Sequence, residues 1–228
     1  MDQGTGAQHN PLLVKTAAGA IILSLLLVMA ATLAVPFLFP TETLWYKAGL
    51  DKWMLLTAQL AGLLALLLLL VQILLALRPK LLQQALGAAR MLRWHRVNGV
   101  LVAVCALVHV VLVLAPEGLD NLPLGWKFWP ELLGAASLLS LLATVSLSWW
   151  RSNLPFPYQA WRLVHRLVGF LLPALLTAHV LFVSESFAGG WPRAALLIGV
   201  VLLYLIAALV WKGRGRTRST INTPRRSL

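Results

Sequence analysis

Arg93-Trp94-His95-Arg96-Val97-Asn98-Gly99-Val100-Leu101-Val102-Ala103-Val104-Cys105-Ala106-Leu107-Val108-His109 is the stretch on which the reading of this chain turns. From Gly99 onward it is apolar up to its second histidine and stays apolar through Leu114. A helix needs about 20 such residues to cross the ~30 Å hydrocarbon layer of a bilayer. The run is therefore read as a membrane span with one histidine near each end. A second stretch, Trp161-Arg162-Leu163-Val164-His165-Arg166-Leu167-Val168-Gly169, continues through nine residues to His179. Both copies fit His-Arg-x2-Gly-x9-His, so the chain carries an internal repeat.

Working outward, four further apolar runs of similar length give six expected spans, near 16–39, 53–77, 94–115, 129–149, 161–184 and 192–211. The expected fold is an all-α integral membrane six-helix bundle, with the spanning domain at 16–211. Residues 1–15 read as an N-terminal tail and 212–228 as a basic tail, both cytoplasmic. The chain is 60% hydrophobic and 11% charged, a balance outside that of soluble domains. Breaks fall at Arg78-Pro79-Lys80, Ala115-Pro116-Glu117-Gly118 and Leu154-Pro155-Phe156-Pro157. The first run is long for a signal-peptide core and is read as a retained helix. Residues 81–92 show a helical apolar pattern too short to span, as expected of an interfacial helix.

The net charge of +12 invites a nucleic-acid reading, but its distribution argues for membrane topology instead. With the N-terminus inside, fifteen of the nineteen Lys and Arg fall on the inner side and six of the seven acids on the outer side. Positive loops stay cytoplasmic, so both termini are expected inside, the partners are lipid, and no nucleic acid is expected. Trp94, Trp126, Trp129 and Trp161 fall at membrane edges, where amphipathic rings are favourable. The single cysteine, Cys105, has no second thiol to pair with and reads as packing.

His9 lies in the tail, and the other four histidines carry the chemistry. Each pair is 14 residues apart, ~21 Å along its helix and ~40° short of four turns, so both rings share a face. Spans three and five run in the same direction, which puts His95 level with His165 and His109 level with His179. Neutral imidazole is a good axial ligand for iron. Two haems stacked across the bilayer, held between the third and fifth spans by these four residues, are therefore expected. Gly99 and Gly169 would clear a side chain from the porphyrin's path. Arg93, Arg96, Arg162 and Arg166 would meet the inner propionates. There is no Cys-x-x-Cys-His, so the haems would be of b type, without thioether links.

Zinc is disfavoured because each level offers two nitrogens and no thiolate or carboxylate. A proton relay would recruit carboxylates within the membrane, whereas Glu131 and Glu185 are placed at its outer edge. Pro173 should bend the fifth span, and Phe170 is read as helix or lipid packing ahead of a place between the porphyrins. Asn98, Gln59, Gln72 and Thr177 are expected to bond between helices.

These motifs, Arg93-Trp94-His95-Arg96-x2-Gly99-x9-His109 and Trp161-Arg162-x2-His165-Arg166-x2-Gly169-x9-His179, resemble the ferric reductase-like transmembrane domain of ferric reductases and NADPH oxidases, over roughly residues 53–211. The resemblance implies a six-helix bundle that passes electrons from the cytoplasm outward, with His95 and His165 on the inner haem and His109 and His179 on the outer. It implies an oxidoreductase membrane component without flavin and nicotinamide domains of its own, since no Gly-rich phosphate loop is present. Flavin would then be reached only through a separate donor flavoprotein, with quinol as the other candidate donor, and an acceptor would wait on the outer side. The chain is also similar to the haem-binding membrane subunit of the bacterial methionine sulfoxide reductase system, which implies a bacterial inner-membrane location. The alternatives left open are a haem-binding anchor subunit of a larger oxidoreductase and a proton-coupled transporter.

Overall fold

A computed structural model describes residues 11–116, 118, 122, 125–153, 155 and 157–221, with side chains except at 11 and from 214 onward. His9 and parts of two interhelical loops fall outside the described residues. Eight α-helices follow in order: α1 (Pro11–Leu38), α2 (Glu42–Tyr46), α3 (Gly49–Leu77), α4 (Lys80–Leu86), α5 (Ala88–Leu114), α6 (Trp129–Trp149), α7 (Tyr158–Val183) and α8 (Gly190–Ile221). No strand occurs among the described residues. Six of the helices, α1, α3, α5, α6, α7 and α8, are long and apolar enough to cross a membrane. Side chains such as Leu27, Leu139, Leu167 and Leu209 are exposed, as the lipid-facing side of a multi-pass membrane protein requires.

The helix ends differ from the expected spans where local chemistry acts. The interfacial helix expected over 81–92 is α4 alone. Gly87 adopts φ +80°, a conformation open to glycine, and breaks the chain there, so residues 88–92 join the third span. The C-cap of α3 is Arg78, itself left-handed at φ 45°, and Pro79 follows. The last helix continues past the expected end at 211 to Ile221, since the end of an apolar run marks the membrane edge and not the end of a helix.

Four helices, α3, α5, α6 and α7, form the inner bundle. The closest packing is α3 on α5 and α6 on α7, with α5 also against α6 and α3 against α7. The two histidine-bearing helices α5 and α7 thus stand across the bundle from each other, and α3 and α6 flank them. At mid-depth the interior is filled by Leu69, Val102, Ala103, Leu141 and Leu172, with Val102 and Leu172 only 1% and 2% exposed. These two residues are seven positions from each histidine on their helices, so the plug lies midway between the histidine levels.

At one end of the bundle two interhelical connections are tied together. The Glu185 carboxylate accepts the Glu42 backbone N–H at 2.7 Å and the Thr43 hydroxyl at 3.4 Å. Ser186 Oγ donates to the Phe39 carbonyl at 2.7 Å. Beneath them Val35, Leu63 and Phe187 form a small buried cluster.

Candidate functional site

His95 on α5 and His165 on α7 meet across the bundle, their ring centres 6.1 Å apart and their planes inclined at 65°. Fourteen residues further along the same helices stand His109 on α5 and His179 on α7. The shared depth comes from the equal 14-residue spacing on two helices that run in the same direction. All four rings are partly buried.

What holds each ring is its Nδ1. His109 Nδ1–H donates to the Ala58 carbonyl of α3 at 2.8 Å, and His179 Nδ1–H to the Pro130 carbonyl of α6 at 2.7 Å. His95 Nδ1–H faces the Gln72 carbonyl of α3 at 3.3 Å. His165 Nδ1 lies 3.3 Å from Ser148 Oγ of α6, and that hydroxyl spends its own proton on the Thr144 carbonyl at 2.6 Å. A carbonyl can only accept, and this hydroxyl's hydrogen is already engaged, so Nδ1 carries the proton in all four rings. The lone pair is left on Nε2, the tautomer in which histidine binds a metal while its other nitrogen is anchored. Helix α3 anchors both rings of α5, and α6 anchors both rings of α7.

Further contacts refine the inner level. Trp161 stacks on His165 with centres 5.1 Å apart and planes at 28°. The Arg151 guanidinium lies 5.8 Å from the Trp161 ring. Gln72 joins a network: its Nε2 donates to the His95 carbonyl at 2.8 Å and lies 3.4 Å from His95 Nε2, while its Oε1 accepts Asn98 Nδ2–H at 2.8 Å. Asn98 Nδ2 also donates to the Leu68 carbonyl at 2.8 Å. Replacing Asn98 with Ala is expected to destabilise the bundle by about 1 kcal/mol, the scale of an interhelical hydrogen bond in a membrane. Thermal denaturation in detergent checks this, and an unshifted midpoint would show that Asn98 does not hold α5 to α3.

A side chain at Gly99 would meet Gln72 Nε2 at 3.0 Å, so the room that glycine makes is taken by Gln72, whereas nothing lies within 4 Å of where a Cβ of Gly169 would be. Arg93, Arg96, Arg162 and Arg166 are all exposed, and Arg162 lies 5.8 Å from the Tyr158 ring. Gln72 and Asn98 do bond between helices, and Gln59 Nε2 reaches Thr41 Oγ1 at 3.4 Å. Thr177 does not: its hydroxyl donates to the Pro173 carbonyl one turn back on its own helix. Phe170 packs with Ile73, Leu77, Leu203 and Ala207 of α3 and α8. Its carbonyl accepts the Tyr204 hydroxyl of α8 at 2.5 Å, in the turn that Pro173 deprives of an amide donor.

The sequence reading missed Gly62 and Gly134, which lie directly behind the outer rings, and Ser148. The available signal was a short likeness, Ala58-Gln59-Leu60-Ala61-Gly62 against Pro130-Glu131-Leu132-Leu133-Gly134.

Among the described residues no group of three or more His, Cys, Asp or Glu is gathered to hold a metal ion. Two imidazoles per level suit a metal whose other positions are filled by a ligand the protein does not supply, as in a porphyrin. No curated protein and no solved structure matched the chain. The sequence profile described as ferric reductase like transmembrane component matches residues 61–176, just over half of the 228. That segment holds His95, His109 and His165 and ends shortly before His179. On this match, and with the helical bundle that carries it, the chain belongs to the ferric reductase like transmembrane component family.

Proposed function

We propose that the protein conducts electrons across the membrane through two bis-histidine b-type haems, the inner on His95 and His165 and the outer on His109 and His179. The observation that carries this reading is the common state of the four rings. Each has its Nδ1 beside a polar atom of a neighbouring helix, which leaves the lone pair on Nε2, and at His95 the Gln72 amide lies 3.4 Å from that nitrogen. The inner ring centres, 6.1 Å apart, suit the same chemistry: one metal ~2 Å from an imidazole nitrogen on either side separates ring centres by about 6 Å. Haem bound at these residues supplies one-electron redox chemistry. The chain's own part is to fix the ligands and to exclude water between the levels. Gln72 Nε2 lies 3.4 Å from His95 Nε2 and would have to give up that contact for His95 to hold iron.

Electrons enter on the cytoplasmic side from a separate flavoprotein or from quinol and leave to an acceptor outside. The asymmetry of basic residues supports this orientation, with both termini in the cytoplasm. Pyridine haemochrome analysis of the isolated chain tests the core of the proposal. Two b-type haems per chain are expected, and a purified protein without a Soret band would end the reading.

A further inference from the structure

The two outer histidines are held in the same unusual way, one from each half of the bundle. His109 donates to the carbonyl of Ala58, and four residues on, at Gly62, an added Cβ would lie 2.8 Å from His109 Nδ1, 3.1 Å from Cε1 and 3.2 Å from Cγ. His179 donates to the carbonyl of Pro130, and four residues on, at Gly134, an added Cβ would lie 2.6 Å from His179 Cε1, 2.8 Å from Nδ1 and 3.0 Å from Nε2. Each ring lies in the hollow of a missing side chain.

The coincidence has a physical cause. In a helix the carbonyl of residue i already accepts the N–H of residue i+4. Its remaining lone pair is reached from beside position i+4, as shown by hydroxyls that bond back to the carbonyl one turn earlier. A side chain at i+4 stands in the way of an imidazole approaching from another helix. Glycine there opens the carbonyl. Both copies continue the likeness with a carboxamide or carboxyl at the second position, and Gln59 Oε1 and Glu131 Oε2 are both buried with no hydrogen-bond partner among the described residues. The inner rings use other means, the Gln72 carbonyl and Ser148 Oγ, each at 3.3 Å. Among the described glycines none has the ring of His95 or His165 against its missing side chain, and Gly99 abuts only the Gln72 amide.

We propose that Gly62 and Gly134 are paired positioning residues that fix the ring planes of His109 and His179, and so set the ligand geometry of the outer haem alone. This rests on the two-haem reading above. The atoms displaced by a methyl group would be those of the ring itself, the free end of a side chain. The consequence is therefore a turned or lost ligand, with the helices still packed.

Gly62→Ala and Gly134→Ala, each purified as the full chain, test this by haem content and by low-temperature electron paramagnetic resonance of the oxidised protein. Each variant is expected either to fall from two haems per chain to one or to keep both with the low-spin signal of the outer centre displaced. In both cases the inner signal stays where it is in the parent protein and reports an intact fold. Gly199→Ala on α8, where nothing lies within 4 Å of the new methyl group, should leave both signals unchanged. Two haems with unmoved signals in Gly62→Ala and Gly134→Ala would overturn the assignment. Equal loss of both haems would also overturn it, since the glycines would then serve only to pack the helices. A parent protein without two haems would instead remove the function proposed above, and this inference with it.

Discussion

His109→Ala is expected to leave one haem per chain, bound at the inner level, and His95→Ala to leave one bound at the outer level. The two levels share no ligand and no anchor. His109 and His179 depend on Ala58 and Pro130, while His95 and His165 depend on Gln72 and Ser148. They are ~21 Å apart along each helix, far beyond the range at which separate sites usually couple in stability. The packed layer of Leu69, Val102, Ala103, Leu141 and Leu172 lies between them. Each substitution should thus halve the haemochrome yield and remove one of two components from the reduced-minus-oxidised spectrum. Circular dichroism and size exclusion establish that the fold survives. Complete loss of both haems from a folded single variant would contradict independent sites.

Leu172→Ala should have the largest effect on stability without touching a ligand. Leu172 is 2% exposed and meets side chains of α3, α5 and α6 at mid-depth, so truncation leaves a cavity that its neighbours cannot close. Such a change costs about 2–5 kcal/mol in a packed interior, and the lost contacts are dispersion contacts that lipid does not replace inside the bundle. Both haems are expected to remain bound at room temperature, with the Soret band lost at a markedly lower temperature than in the parent protein. A thermal midpoint within error of the parent would show that the middle layer is not closely packed.

The parts of the fold that follow from one-dimensional pattern were legible in the sequence. Six apolar runs are a matter of length and hydropathy, and the 14-residue histidine spacing converts directly into a shared face. Contacts between different helices were not legible. Gly62 is one glycine in a Leu- and Ala-rich run, and only its partner His109, far along the chain, gives it meaning. Gly99 reads as clearance for a planar ligand because it follows His95 by four residues, and only the packing of α3 reveals that Gln72 Nε2 lies 3.0 Å from where its side chain would be. Thr177 was expected to reach another helix, but a hydroxyl four residues after a carbonyl finds that carbonyl first. The break at Gly87 was hidden because the apolar pattern runs straight through it.

The filled waist of the bundle sets a limit on what can pass. Val102 and Leu172 close the interior at its midpoint, and an apolar layer of this kind is a poor path for hydrated ions. In the proposed electron transfer, charge would cross this layer as electrons. Each turnover would move net charge against the electric field of the bilayer or with it, and vesicles containing the protein would respond to an imposed voltage.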